Sequence, residues 1–280
     1  MKPAISFGLS DGGHGGGSGG AGGQTQLKTV SVAFATQATS HVWFPGNGDK
    51  YYGAEATLDV YGLALGLNQS SQAGIWIANK GDGQPSSMNG IQIGWHISPG
   101  VYNDSQTHFF VDWTSAGADK HCLNMLCPGF KKTSSIITPG DVISPVSATN
   151  GNKQYVTLKL FKDKSTGDWH VHYGFNGDAK PVGFLPKSFL PGMIYKPVEI
   201  NFGGLVYHSK PQTSPPMGNG YLPTRGAAAT FSSLKLISED GNGHPVTTNL
   251  PIRMTRPSCY PMSWMDAKGG FSYGGPGCAD

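Results

Sequence analysis

A chain of 280 residues with 42 Gly, 20 Pro and only 13% charged residues has the composition of a turn-rich protein, since charge is about half the usual ~25%. The glycines have no three-residue period, which excludes collagen. No apolar run approaches the roughly 18 residues of a membrane-spanning helix, and 38% hydrophobic residues are too many for a wholly disordered chain. The formal net charge of +3 comes without a basic stripe, Lys131-Lys132 being the one basic pair, so neither nucleic acid nor a membrane is an expected partner.

Residues 1–26 are a Gly-rich segment, and GGHGGGSGGAGG over residues 12–23 reads as disordered. The literal G-x-S-x-G at Gly8-Leu9-Ser10-Asp11-Gly12 is read as coincidence, because a nucleophile elbow needs a strand before it and a helix after it. The apolar stretch at the start is also too short for the core of a signal peptide, so a truncated or processed N-terminus is expected. From residue 27 the texture changes to short alternating segments bounded by turn residues, the pattern of half-buried strands. Strands are predicted at 29–36, 55–61, 74–78, 90–97, 107–113, 141–146, 154–162, 169–175, 181–185, 198–207 and 227–237. One short helix is predicted over 186–190. So many strands suit two packed antiparallel sheets, an all-β sandwich, as one domain spanning residues 27–280.

The four cysteines, Cys122, Cys127, Cys259 and Cys278, are even in number and read as two disulfides. Three pairings are open, the sequential one being the simplest. No metal site is expected, because the spacing lacks the two close ligand pairs of a zinc site. His170 and His172 share one strand face but have no evident third ligand. The sequons at Asn68 and Asn103 agree with a secretory route. Of the six tryptophans, Trp43, Trp76, Trp95, Trp113, Trp169 and Trp264, most are expected in a core. In VEINFGGLVY (198–207), an unbroken strand puts Val198, Ile200, Phe202, Gly204 and Val206 on an apolar face. Glu199, Asn201, Gly203 and Leu205 then lie on the other, unless Gly203-Gly204 forms a bulge.

The blocks GIQIGWHISPGVYNDSQTHFFVDWTSAG, CLNMLCPGF, INFGGLVY, GYLPTRG and YGGPGC, in that order over roughly residues 30–280, resemble the plant neprosin family. The resemblance implies a β-sandwich with a groove, disulfides Cys122–Cys127 and Cys259–Cys278, and a secreted, extracellular origin. Active members resemble acid-tolerant glutamic endopeptidases that cut after proline, made with a propeptide and needing no cofactor. The family's two catalytic glutamates fall on Gln92, in Ile91-Gln92-Ile93-Gly94-Trp95, and on Leu205, directly after Gly203-Gly204. Trp95, Trp113, Glu199 and Asn201 are candidate groove residues.

Amide hydrolysis needs a general base for water and a proton donor, jobs that two carboxyls with different pKa values can share. Gln92 can still orient a water, whereas Leu205 can neither accept nor donate a proton. The other glutamates, Glu55 and Glu239, have no evident link to Gln92. The expected reading is therefore a monomeric pseudopeptidase whose groove holds a Pro-containing peptide or a cell-wall polymer. The alternatives are an active endopeptidase using a displaced carboxylate, and an extracellular structural or storage protein without a ligand.

Overall fold

The computed structural model describes residues 34–46, 51–116, 120–148 and 151–279. The segment 1–26, the Gly8–Gly12 motif and the start of the strand expected at 29–36 lie outside the described residues.

Among the described residues, fifteen strands carry the fold. The first seven are β1 (Phe34–Trp43), β2 (Tyr51–Asp59), β3 (Gln69–Asn79), β4 (Asn89–Ile97), β5 (His108–Ser115), β6 (Lys120–Leu123) and β7 (Lys131–Lys132). They are followed by β8 (Tyr155–Lys162), β9 (Trp169–Phe175), β10 (Lys180–Leu185), β11 (Glu199–Ser209) and β12 (Ala229–Ser238). The last three are β13 (Gly243–Pro245), β14 (Ile252–Met254) and β15 (Phe271–Tyr273). A seven-stranded sheet runs β14-β1-β11-β3-β4-β5-β6, and an eight-stranded sheet runs β13-β12-β2-β8-β9-β10-β7, with β15 beside β12. All strand pairings are antiparallel.

The inward faces are set by period-two alternation. Ile75 and Ile77 of β3, Ile91, Ile93 and Trp95 of β4, and Ile200, Phe202 and Val206 of β11 are fully buried against Leu158, Leu160 and Val171 of the other sheet. Trp95 is satisfied there because its Nε1 donates to the Asp59 carbonyl at 2.9 Å. Two disulfides, Cys122–Cys127 and Cys259–Cys278, close the loop after β6 and tie the C-terminal segment to the chain after β14. Gly203-Gly204 is no bulge, because β11 keeps continuous register with both β1 and β3.

Two expected elements differ. Residues 141–146 make no strand: Val142 forms a single bridge to His108 and Ser147 one to Tyr61. Pro145 between them has no N–H to extend a ladder. The helix expected at 186–190 is a 3-10 turn, Lys187–Phe189, too short for a four-residue hydrogen-bond ladder. The short edge strands β6, β7, β13, β14 and β15 carry too few residues to show a period.

The feature that shapes the seven-stranded sheet is a cross-strand row of three glycines, Gly203, Gly74 and Gly94. A Cβ on each would sit 2.0 Å from a carbonyl oxygen of the adjacent strand, namely Thr39, Ile93 and Ala73 respectively. The neighbouring backbones therefore approach closely on this outward face, as a sheet curled into a concavity along the row requires. Gly90 on the same face of β4 has ordinary room, since a methyl group there would meet nothing closer than 3.4 Å. Gly94→Ala is expected to destabilise the fold by about 1–3 kcal/mol, the usual cost of forcing atoms into filled space, while Gly90→Ala stays near neutral. Chemical denaturation of both variants checks this, and equal midpoints would contradict the curl.

Candidate functional site in the concave sheet face

Three rows of side chains define the concave face. The glycine row lies in the middle. On one side the pairing lines up Val42, Asn201, Trp76, Gln92 and Asp112. On the other it lines up Ala38, Leu205, Gln72, His96 and His108. Gln92 and Leu205 thus share a face but lie on opposite sides of the glycines. In a flat sheet two strand spacings and four residues would separate them by roughly 16 Å, and the curl shortens that span. The residue in register with Gln92, across Trp76, is Asn201.

The row through Gln92 has a symmetrical construction. Gln92 Nε2 donates to Asp112 Oδ2 at 3.4 Å, and the other oxygen of Asp112 lies 2.7 Å from His121 Nε2. Asn201 Nδ2 donates to Glu199 Oε1 at 3.1 Å, and Asn201 Oδ1 accepts from Ser40 Oγ at 3.3 Å. Glu199 in turn is held by Arg253 Nη1 at 2.7 Å and Lys80 Nζ at 3.0 Å. Two carboxamides therefore flank the half-buried indole of Trp76, and each is tied back to a carboxylate that is itself ion-paired.

The electrostatics follow from this arrangement. Burial pushes the Asp112 carboxyl up, against the pull of His121 and Gln92. The Asp112 carboxylate holds the His121 imidazole above its ordinary value. Burial also works to raise Glu199, but Arg253 and Lys80 overcome it and hold the carboxyl low. Both acids are thus committed to cations, one at each end of the row. At the side of Leu205, Gln72 is almost wholly buried and its Oε1 has no hydrogen-bond partner among the described residues; the same is true of Ser70 Oγ on the same strand face. His96 is buried beside them and bonds to the Tyr102 hydroxyl, which also accepts from Asn124 Nδ2 at 2.7 Å.

The other expected groove residues divide by face. Glu199 and Asn201 lie on the concave face. Trp95 and Trp113 point the opposite way, into the core between the sheets, where Trp113 meets Phe189 edge-on at 5.2 Å. Their odd positions on β4 and β5, opposite in parity to Gln92 and Asp112, already imply this. Glu55 belongs to the other sheet, where it pairs with Lys235 at 2.7 Å, and Glu239 is exposed beyond the end of β12. Asn68 and Asn103 are both exposed. Among the described residues no group of three or more His, Cys, Asp or Glu is placed to hold a metal, and no helix is long and apolar enough to cross a membrane. Sequence reasoning missed Trp76, Asp112 and His121. Asp112 had a signal, as the one acid in an apolar strand (HFFVDWTS) and on its polar-facing parity.

The neprosin family model matches residues 67–276. The chain belongs to the neprosin family. Solved structures with similarity to this neprosin-family chain include a scytalidoglutamic peptidase bound to a peptide-based transition-state analogue. It has 10% identity and a TM-score of 0.44, over 87% of this chain and 100% of that one. A GH16 protein of Bacteroides ovatus in complex with a product has 15% identity and a TM-score of 0.34, over 62% and 67% of the two chains. An alginate lyase from a Chlorella virus has 9% identity and a TM-score of 0.33, over 64% and 87%. These likenesses are too distant to bear on function.

The buried imidazole of His96 gives a pH dependence. Burial, and then the neighbouring His108, push it down to about 3. A histidine depressed in the folded state contributes full stability above its unfolded value of ~6.5. That stability is lost as pH falls towards the folded value, at roughly 1.4 kcal/mol per pH unit. Thermal melts should therefore show His96→Gln, which keeps a polar side chain without the titration, losing less stability than the wild-type protein between pH 6.5 and 4. Parallel losses would remove His96 as a source of acid sensitivity.

Proposed function

We propose that this chain is a pseudopeptidase of the neprosin family, whose concave face binds an extended, Pro-containing peptide without cleaving it. The observation that carries this reading is the Asn201–Trp76–Gln92 row, an indole between two carboxamides with every nearby carboxylate already engaged by a cation. A proline ring packs well on an indole face. The second amide hydrogen of each carboxamide suits a peptide backbone, which offers carbonyl acceptors. The unpartnered Gln72 and Ser70 oxygens on the same face favour a polar ligand, since buried polar groups are costly when unpaired. The proteolytic chemistry is missing its parts. Leu205 cannot move a proton, and Gln92 cannot act as a base. Each missing acid–base group removes on the order of 10²–10⁴-fold in rate.

A second reading has one observation in its favour: Asp112 is a carboxylate within reach of Gln92, and its raised pKa is of the kind used by acid–base groups. Against it, Asp112 is fully buried and paired with His121.

The deciding assay is cleavage of a quenched, proline-containing peptide between pH 2.5 and 7, alongside titration of a non-hydrolysable peptide. The expected results are no cleavage, saturable binding, and binding about tenfold or more weaker in Trp76→Ala, as for a buried aromatic anchor. The double variant Gln92→Glu with Leu205→Glu is expected to gain cleavage. Cleavage by the wild-type protein that disappears in Asp112→Asn would establish the second reading instead. A melting temperature unmoved by any peptide would favour a structural or storage role, because a ligand of the native state must stabilise it.

We further propose that the protein works outside the cell, consistent with its two disulfides, and that Asn68 and Asn103 carry glycans. Secreted protein from a eukaryotic host should lose mass on endoglycosidase treatment, and substitution of both asparagines by Gln should abolish that shift.

A further inference from the structure

Between the loop over residues 134–144 and the β9–β10 turn lies a cleft of about 590 Å³, within the ~300–1,000 Å³ range of small-molecule sites. Its inner wall is made by Ile137, Ile143, Tyr173 and Phe175, all packed on the core between the sheets. Ile136 and Pro181 extend the wall to the mouth, and Ile136 leaves 87% of its surface exposed. None of these residues belongs to the concave face, so the cleft stands apart from the proposed peptide groove.

The cleft is preformed. The amides of Thr133 and Ser134 both donate to the Val182 carbonyl, at 2.9 and 3.0 Å, and that of Ile143 donates to the Thr107 carbonyl at 2.7 Å. Ser134 Oγ accepts from the amides of Ile136 and Ile137 at 3.1 and 3.2 Å. The loop is thereby pinned to β10 and to the start of β5, and these amides are not free to pair with a peptide strand.

One polar group of the wall lacks a partner. Tyr173 is only 8% exposed, with its ring 4.6 Å from that of Phe109, and its hydroxyl makes no hydrogen bond among the described residues. A buried hydroxyl left unpaired is costly. Burial, and then Asp141, hold this phenol above its ordinary value, so it keeps its proton and can donate it. The charges around the cleft balance. Asp178 and Lys180 line the mouth with opposite signs. Asp141 and Lys132 meet on Thr138, the carboxylate accepting from its amide at 2.8 Å and the ammonium donating to its hydroxyl at 3.1 Å.

We infer that this cleft binds a neutral aromatic molecule of two or three rings that carries a carbonyl group, with the rings against Ile137, Ile143 and Phe175 and the carbonyl oxygen accepting from the Tyr173 hydroxyl. A charged ligand would lose its hydration with no unbalanced charge in the cleft to compensate. An aliphatic chain would leave Tyr173 unpaired and would lose more rotamer freedom than a rigid ring system on binding.

The test is fluorescence titration of the full chain with N-phenyl-1-naphthylamine, a neutral probe whose emission rises in apolar surroundings, followed by displacement with flavone. The expected result is saturable one-to-one binding of the probe. Flavone should displace it about threefold to tenfold more tightly than flavan, which lacks the carbonyl, and Tyr173→Phe should remove that margin. 8-Anilinonaphthalene-1-sulfonate, the same two ring systems with one negative charge, should bind more weakly than the neutral probe. Gly177 lines the cleft outside the left-handed region, and a Cβ there meets nothing closer than 3.8 Å. Gly177→Phe should therefore fill the cleft and weaken the probe about tenfold or more, and Ile136→Asp, at an exposed position, should weaken it too. Undiminished binding in both of these variants, each with a wild-type circular dichroism spectrum, would overturn the inference. Equal or tighter binding of the sulfonate, or a flavone margin that survives in Tyr173→Phe, would overturn the assigned ligand chemistry.

Discussion

The absence of three side chains governs this molecule. Gly203, Gly74 and Gly94 fall side by side on adjacent strands, each where a Cβ would lie 2.0 Å from a neighbouring carbonyl. Sheets are curved by such glycine lines as well as by bulges, and here the register is unbroken, so the glycines carry the curl. Everything in the candidate site follows from it. The rows on either side of the line face one concavity, and residues far apart in the chain, such as Gln92 and Asn201, come to share a wall. The opposite face of the same strands is left convex and apolar, filled by isoleucine, valine and aromatic side chains packed at the density of a folded interior.

Within the concavity, the decisive chemistry is the engagement of each carboxylate. A buried acid costs free energy unless it is paired and hydrogen-bonded. Asp112 meets that demand with His121 and Gln92, and Glu199 meets it with Arg253, Lys80 and Asn201. The pairing leaves the two acids with opposite characters, because burial still raises Asp112 while Arg253 and Lys80 hold Glu199 low. The two carboxamides gain fixed orientations in return. A surface of oriented amides around an indole favours recognition over reaction, which is the physical basis for reading this neprosin-family chain as a binder.

The two faces of the molecule then have different characters. The concave face is polar and largely buried. The outer face of the other sheet carries a ladder of stacked rings, Phe161, His170 and Phe184. Histidines held low, the buried His96 and the partly buried His172, oppose acid stability, while the raised His121 and Asp112 act with the opposite sign.

Much of this was legible in the residues themselves. Alternation in VEINFGGLVY separated Ile200, Phe202 and Val206 from Glu199, Asn201 and Leu205, because a strand has a period of two whatever it pairs with. The same rule placed Trp95 and Trp113 opposite Gln92 and Asp112, although indoles so close to the family motif suggest a groove. The motif blocks carried the family, and residues 141–146 misled because local β-propensity does not reveal whether a partner strand is available. What periodicity could not supply was register. That Asn201, Trp76, Gln92 and Asp112 form one row, that three glycines adjoin, and that Arg253 and Lys80 meet on Glu199 depends on which strands neighbour which. The sequence by itself determined the class of fold, the family and the inward and outward faces. Only the tertiary structure decided which polar groups share a wall, because pairing between distant strands is settled by the packing of the whole sandwich.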